Sequence, residues 1–201
     1  MDEALQNAAR AVQRGGVVGF PTETYYGLAA DPRQASALRE VLRLKGRDAR
    51  DKPLLLLAAS LDDVAPWVES FPAGFDALVA RFWPGPLTLV VPAAETVPTA
   101  LRGPSGGVGV RLTSHPLARR FIAACGTAVT GTSANRTGAP PARDAAQVHA
   151  AFGGELAAVL DGGETAGGAA STIVELRPEG ARLLRSGAVA EATLRQVVRL
   201  S

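Results

Sequence analysis

Cysteine, histidine and aromatic residues are scarce in this chain of 201 residues, and each scarcity excludes a class of protein. The single cysteine, Cys125, cannot form an internal disulfide and favours a reducing compartment. The two histidines, His115 and His149, have no triad or metal partner at a suitable spacing, so we interpret both as structural or surface residues. Aromatic residues make up 5% of the chain and do not alternate with basic ones, which argues against a surface that stacks nucleic-acid bases.

Long apolar segments are also missing. No apolar run reaches the length that spans a membrane, and the acidic, amphipathic N-terminus differs from the basic and apolar start of a signal peptide. We therefore expect a cytoplasmic protein that does not contact a membrane. The net charge of +2, with arginine as the main basic residue, permits an anionic ligand without requiring one.

The sequence does contain enough apolar residues for a buried core. They make up 47% of the chain, and the length suits a single domain over residues 1–201. Helical patterns alternate with short apolar runs such as "LLLLAAS" and "LTLVVPA", which indicates a sheet covered by helices. Two consecutive strands near the C-terminus, "STIVEL" and "ARLLRS", have no helix between them. The predicted class is therefore α/β, with an open, twisted, mixed sheet and helices on its faces.

Both lysines lie in one short segment, "LKGRDARDKP", whereas the other nineteen basic residues are arginine. The motif "KGR" places Lys45 and Arg47 at the end of a predicted helix, where cations also complement the helix dipole. An ammonium acts as a point charge on phosphate and a guanidinium binds it bidentately, so one of each favours a phosphate site. We interpret Lys45 as functional on this ground and Lys52 as a solvated loop residue.

Two other segments carry polar side chains directly after predicted strands. We expect the segment from Thr22 to Pro32 to be a loop; its Glu23 fits helix capping as well as acid/base work. The stretch "GTSANRTG" offers Ser133 and Asn135 among small residues whose amides can approach an anion, and it fits an ordinary Asx or Ser turn equally well.

Further polar residues lie at the ends of predicted strands. Arg111 ends "GVGVR", where an anion site and a structural ion pair both stay open. "STIVEL" and "LLRSG" add Ser171, Thr172 and Arg185, which fit ordinary sheet-edge residues as well as a site. There is no GxxxxGK[ST] motif, and "GGVGVR" lies inside a predicted strand, so a phosphate site must use other donors than the common nucleotide fingerprints.

A set of segments, taken in order and spacing, resembles the YrdC family of threonylcarbamoyl-AMP synthases: "GGVVGFPTETYYGLAAD", "KGR", "FWPGPLT", "VGVRLTSHP", "TSAN", "STIVEL" and "LLRSGA". The resemblance runs from about Gly15 to Gly187 and implies the single-domain form, with a concave, positively lined face. It also implies that ATP, L-threonine and bicarbonate give threonylcarbamoyl-AMP and pyrophosphate, with Mg²⁺ carried on the nucleotide. The threonylcarbamoyl group then passes to tRNA, directly or through partner proteins.

The same resemblance assigns roles to individual residues. It makes Lys45 and Arg47 the catalytic pair, and it implies no metal ligand from the protein. The residues that it assigns to ATP are Lys45, Arg47, Ser133, Asn135 and Arg185, and those that it assigns to threonine are Thr22, Tyr26, Arg111 and Ser171.

The sequence departs from the family pattern at four positions. Tyr25 stands where a small aliphatic residue is usual, Ala29 where glycine is usual, and Thr113 and Ser186 where proline is common. Because Tyr25 and Ala29 change the loop of the implied threonine pocket, a paralogue that uses another amino acid or acceptor stays open. A non-catalytic, RNA-binding or ribosome-associated module is the other alternative, which the low aromatic content disfavours.

Overall fold

A computed structural model describes residues 2–48 and 52–201. The α-helices within these ranges are α1 (Asp2–Gln13), α2 (Ala35–Lys45), α3 (Phe75–Phe82), α4 (Pro116–Cys125), α5 (Ala145–Phe152) and α6 (Glu191–Leu194). The strands within them are β1 (Val18–Pro21), β2 (Tyr26–Ala29), β3 (Leu56–Ala58), β4 (Leu87–Pro92), β5 (Gly107–Leu112), β6 (Val129–Thr130), β7 (Thr132–Ser133), β8 (Ala158–Val159), β9 (Thr172–Arg177) and β10 (Gly180–Arg185). None of the helices in the described ranges is long and apolar enough to cross a membrane.

The strands form two sheets, with the orders β7-β2-β1-β8 and β10-β9-β4-β5-β3-β6. The pairs β1–β8, β3–β5 and β4–β9 are parallel, and the other neighbours are antiparallel. The predicted open, mixed α/β architecture is therefore confirmed, with the difference that the strands divide between two sheets. The chain passes from one sheet to the other at Gly131, between β6 and β7, where a Cβ atom would lie 3.1 Å from Cβ of Leu57.

The predicted loop from Thr22 to Pro32 is wrong over Tyr26–Ala29, which forms β2. This strand pairs antiparallel with β1, and Thr22 closes the connection by donating its amide to the carbonyl of Tyr25 at 3.1 Å. All four residues of β2 are buried, so the polar alternation that marks a half-exposed strand is absent from its sequence.

Helix α2 ends in a left-handed turn that determines where its last residues point. Leu38, Val41 and Leu44 are buried on its inner face. Gly46 has φ 63° and ψ 41°, a conformation that costs a residue with a Cβ atom, and its amide donates to the carbonyl of Arg43 at 3.0 Å. The turn leaves Lys45 in the final helical turn, facing the strands.

Buried apolar side chains form two clusters. The larger one surrounds the second sheet, and its strands β4 and β5 are buried along almost their whole length, as continuous apolar runs predict. The smaller one joins α1 and α4 to β1, where the rings of Phe20 and Phe121 lie 5.3 Å apart. Cys125 belongs to this cluster, and burial raises the pKa of its thiol to about 12, so the side chain acts as a small apolar residue.

Candidate active site

A cavity of about 940 Å³ lies on one face of the second sheet, which is within the range of pockets that hold a small ligand or cofactor. Its other walls come from the β1–β2 turn, the end of α2 and the segment after β7. Residues two apart along a strand point to the same side, and such residues in or beside the strands line its floor. They are Leu55, Leu57, Val90, Gly107, Gly109, Arg111, Ile173, Glu175, Arg177 and Arg182.

Two glycines on this floor have close neighbours that leave no space for a side chain. A Cβ atom on Gly109 would lie 2.3 Å from Cδ2 of Leu55, and one on Gly107 would lie 2.7 Å from Cγ1 of Val90. Since real Cβ contacts are longer, a side chain at either position would push its neighbours toward the cavity. The glycines of "GGVGVR" therefore create room for a ligand, although they form no phosphate-binding turn.

Positive charge dominates the lining of the cavity. Among the residues that the structure describes, seven basic side chains and one acidic side chain line it. Such an excess on the walls of a concavity attracts anions. The basic residues are Lys45, Arg47, Lys52, Arg111, Arg177, Arg182 and Arg185, and the acidic one is Glu175.

The "KGR" and "TSAN" segments meet at the ammonium group of Lys45. This residue is 2% exposed, and its Nζ donates to the carbonyl oxygen of Ser133 at 2.6 Å and to Oδ1 of Asn135 at 2.9 Å. The hydroxyl of Ser133 donates to the same Oδ1 at 2.6 Å. The amide of Thr137 donates to the carbonyl of Lys45 at 3.0 Å, so main-chain contact joins the two segments as well.

The pKa of Lys45 lies near neutral pH. Burial, followed by the positive charges of Arg47 and Lys52, lowers the pKa of Lys45 from about 10.5 to about 7. An anion bound beside Nζ would favour the protonated form again. The prediction that Lys52 is a solvated loop residue is confirmed, since it lies in a bend and is exposed. It also lines the cavity, and its charge contributes to the lowered pKa of Lys45. The one sequence signal for it is that both lysines share one segment.

Two of the residues implied for threonine already have partners within the chain. The hydroxyl of Thr22 donates to the carbonyl of Tyr25 at 2.7 Å and accepts from the amides of Thr24 and Tyr25. The hydroxyl of Tyr26 donates to the carbonyl of Gly163 at 2.9 Å. Both residues line the cavity, but the ring of Tyr26 is fully buried and its hydroxyl holds a neighbouring loop.

The sequence leaves both an anion site and a structural ion pair open for Arg111, and the structure shows features of both. It lines the cavity, and its Nη2 lies 2.5 Å from Oε1 of Glu23. Helix capping by Glu23 is wrong, since its carboxylate is committed to Arg111 and Thr113. Burial acts to raise the pKa of Glu23, but the charge of Arg111 and hydrogen bonds from Thr113 and Arg111 outweigh it, and the pKa is lowered.

Arg185 and Ser171 are linked on the opposite wall. Nε and Nη2 of Arg185 donate to the carbonyl oxygen of Ser171 at 3.0 and 2.7 Å, and Nη2 donates to its hydroxyl at 3.0 Å. A register shift between Leu183 and Arg185 lets Leu184 and Arg185 both line the cavity. Burial and the charge of Arg111 lower the pKa of Arg185, which indicates that the two guanidinium groups are close enough to repel each other.

Sequence reasoning missed Arg177 and Arg182 as lining residues. Arg177 lies on the same face of β9 as Ile173 and Glu175, and its Nε donates to Glu175 at 2.7 Å. The alternation of Ser171, Ile173, Glu175 and Arg177 was the available signal, because a period of two places all four on one side of a strand.

The sequence profile of the Sua5/YciO/YrdC family, described as telomere recombination, matches residues 10–187. The chain belongs to the Sua5/YciO/YrdC family. A relative in this family, the threonylcarbamoyl-AMP synthase of Thiobacillus denitrificans, is 43% identical over 165 residues, which are 82% of this chain and 87% of that protein. The threonylcarbamoyl-AMP synthase of Pyrococcus abyssi is 36% identical over 194 residues. That match covers 96% of this chain but only 57% of the Pyrococcus protein.

Solved structures of the Sua5/YciO/YrdC family share the fold. The crystal structure of Pyrococcus abyssi Sua5 complexed with L-threonine superposes with a TM-score of 0.90 at 35% identity, over 98% of this chain and 58% of that chain. Escherichia coli YciO superposes with a TM-score of 0.84 over 94% of this chain and 92% of that chain. Its identity of 20% supports the fold alone.

Proposed function

We propose that the protein is a threonylcarbamoyl-AMP synthase, which forms threonylcarbamoyl-AMP and pyrophosphate from L-threonine, bicarbonate and ATP. The observation that carries this proposal is the contact of Lys45 with Ser133 and Asn135 on the wall of a strongly cationic cavity. The synthases of Thiobacillus denitrificans and Pyrococcus abyssi, which match most of the chain, support the choice of reaction.

The reaction joins an unstable acid to a nucleotide. The neutral amine of threonine attacks the carbon of bicarbonate, water leaves, and a carbamate forms. A carboxylate oxygen of the carbamate then attacks the α-phosphorus of ATP, and the bond from that phosphorus to the bridging oxygen breaks, so that pyrophosphate departs. Because a carbamate falls apart readily in water, the main tasks of the cavity are enclosure and alignment.

The cationic groups supply the charge that this step needs. Lys45 and Arg47 offset the charge that grows on the phosphoryl oxygens, and Ser133 and Asn135 hold Lys45 in place. Arg185 lies on the wall beside the nucleotide. These roles match a lining in which cations outnumber the one described carboxylate.

Threonine is assigned to the part of the cavity beside the β1–β2 turn. Arg111 binds its carboxylate, and Thr22 and Ser171 complete the subsite. Tyr26 shapes this part through its buried ring and main chain, since its hydroxyl bonds to Gly163.

Magnesium enters this scheme as part of the nucleotide substrate. The described residues hold no cluster of three or more histidine, cysteine or acidic side chains, and Glu175 is the one described carboxylate on the cavity wall. Such a lining fits Mg²⁺ that keeps several waters and is held by phosphate oxygens.

The wider setting of the reaction is part of the same proposal. Residues 1–201 act as one domain, because the cavity takes its walls from both sheets. The product passes its threonylcarbamoyl group to tRNA, directly or through partner proteins. The free, buried thiol of Cys125 fits a reducing compartment, and we place the protein in the cytoplasm.

The decisive experiment incubates the purified protein with Mg·ATP and bicarbonate, with and without L-threonine, and measures pyrophosphate and the mass of any adenylate. We expect an adenylate with the mass of threonylcarbamoyl-AMP only when threonine and bicarbonate are both present. Serine and other amino acids are run in parallel. An adenylate of another amino acid would replace the proposal with a paralogous activity, and the absence of any adenylate would reject both.

A further inference from the structure

Arg111 is oriented by two groups of the protein that leave one of its nitrogens for a ligand. Its Nη2 contacts Oε1 of Glu23 at 2.5 Å, and its Nε donates to the carbonyl of Gly85 at 3.2 Å. Within residues 2–48 and 52–201, no hydrogen-bond partner of Nη1 is found, and Nη2 meets Glu23 as an ion pair without an aligned hydrogen bond. The residue lines the cavity. The side chains of Arg111 and Glu23 are only 9% and 14% exposed, so water does little to weaken the pair.

The carboxylate of Glu23 is itself held by a second residue. The hydroxyl of Thr113 donates to Oε2 of Glu23 at 2.6 Å, so the two carboxylate oxygens have different partners. Thr113 is fully buried, and its hydroxyl also accepts from the amide of His115 at 3.2 Å. Its own amide donates to the carbonyl of Ala58 at 3.3 Å. A threonine anchored in this way fixes the direction of the carboxylate, which proline at the same position could not do.

The charge of Glu23 also balances a repulsion inside the cavity. Burial and then the positive charge of Arg111 lower the pKa of Arg185, so the two guanidinium groups repel each other. The carboxylate of Glu23, which lies 2.5 Å from Nη2 of Arg111, offsets part of this repulsion. Glu23 belongs to the β1–β2 turn and Arg111 to β5, so the pair also joins the two sheets at the cavity.

We propose that Glu23, fixed by Thr113, is a positioning residue that presents the guanidinium of Arg111 to the carboxylate of the amino-acid substrate. Glu23 is not among the residues that line the cavity, so it acts through Arg111. This inference rests on the proposed function, because it concerns the amino-acid subsite of that reaction.

The test compares Glu23→Gln and Thr113→Val with the unmodified protein. Pyrophosphate release is followed as a function of L-threonine and, separately, of ATP. We expect KM for threonine to rise about tenfold in Glu23→Gln and about threefold in Thr113→Val, while KM for ATP changes less than about twofold. Asp31→Asn is the matched control, since Asp31 is a buried carboxylate that pairs with Arg33 outside the cavity. Its KM for threonine should be unchanged.

The double variant Glu23→Gln/Thr113→Val shows whether Thr113 acts by positioning Glu23 or by its own packing. If Thr113 acts through Glu23, Thr113→Val adds little to KM for threonine once residue 23 is glutamine. A parallel rise of both KM values in either variant, or an unchanged KM for threonine in both, overturns the proposal. Thr113→Val keeps the ion pair, so it decides the matter even where Glu23→Gln fails to fold. An unmodified protein without threonine-dependent adenylate defeats the proposed function instead.

Discussion

Lys45 is a buried cation whose protonation depends on its surroundings. Its ammonium is bonded to Ser133 and Asn135, yet burial and neighbouring positive charges lower its pKa to about 7. In the unfolded chain the pKa returns to its ordinary value near 10.5. Between these two pH values the folded protein binds fewer protons than the unfolded chain, so the stability of the fold rises with pH. Below pH 7 both states are protonated and the whole penalty is present.

Replacing Lys45 by methionine should remove this pH dependence. We expect the free energy of unfolding of the unmodified protein to rise, relative to Lys45→Met, by on the order of 1 kcal/mol per pH unit above pH 7. Urea unfolding of both proteins at pH 7 and pH 9, without nucleotide, measures the difference. Equal pH dependence in the two proteins would mean that Lys45 keeps an ordinary pKa.

Individual site residues were predictable to different degrees. The choice of lysine at Lys45 in a chain rich in arginine carried a local signal, and the structure brings it to Ser133 and Asn135. The partner of Arg111 was not predictable, because Glu23 is 88 positions away and reaches it only through the pairing of strands. Their roles toward ATP and threonine stay predictions.

Among the elements, the β1–β2 turn is tied to the glycine-rich segment 162–170 by two tyrosines. The hydroxyl of Tyr25 donates to the carbonyl of Gly168 at 2.5 Å, and Tyr26 bonds to Gly162 and Gly163. Both tyrosines line the cavity, so their hydroxyl groups connect the wall formed by the β1–β2 turn to segment 162–170.

Removing either hydroxyl should loosen segment 162–170. Tyr25→Phe loses one hydrogen bond, worth about 1 kcal/mol, and Tyr26→Phe loses the contacts of its hydroxyl with Asp161, Gly162 and Gly163, so its effect should be larger. Hydrogen–deuterium exchange of this segment measures both effects, and α1 provides the internal reference. Unchanged exchange in Tyr26→Phe would show that the segment is held by its other contacts alone.

The elements themselves were easier to predict than their partners. Apolar runs marked β3, β4 and β5, and the predicted helix that ends at the "KGR" motif corresponds to α2. Strand β2 was missed because both of its faces are buried. The division into two sheets has no local signal, since β6 and β7 are separated by Gly131 alone and pair with different neighbours.

At the scale of the whole molecule, positive charge is concentrated in one place while the net charge is small. The formal net charge is +2, yet seven basic residues and one acidic residue among those described line the cavity. The attraction of this protein for anions is therefore local.

Salt should weaken the binding of ATP far more than the binding of threonine. ATP carries several negative charges, whereas threonine is a zwitterion. Raising KCl from about 50 mM to about 500 mM shortens the Debye length, so it should strongly reduce the affinity for ATP and change the affinity for threonine little. Calorimetric titrations measure both affinities. Arg182→Gln should reduce the salt dependence for ATP, whereas Arg143→Gln, which changes a surface residue paired with Glu164, should not. Identical salt dependence in all three proteins would place the nucleotide elsewhere.

The lining of the cavity also has a consequence for synthesis on the ribosome. Its residues run from Thr22 to Arg185 in chain order, and the second sheet has its last strand at β10. A nascent chain therefore holds no finished pocket until Arg185 has left the exit tunnel. A ligand that needs the whole lining can therefore stabilise the chain only after Arg185 has emerged.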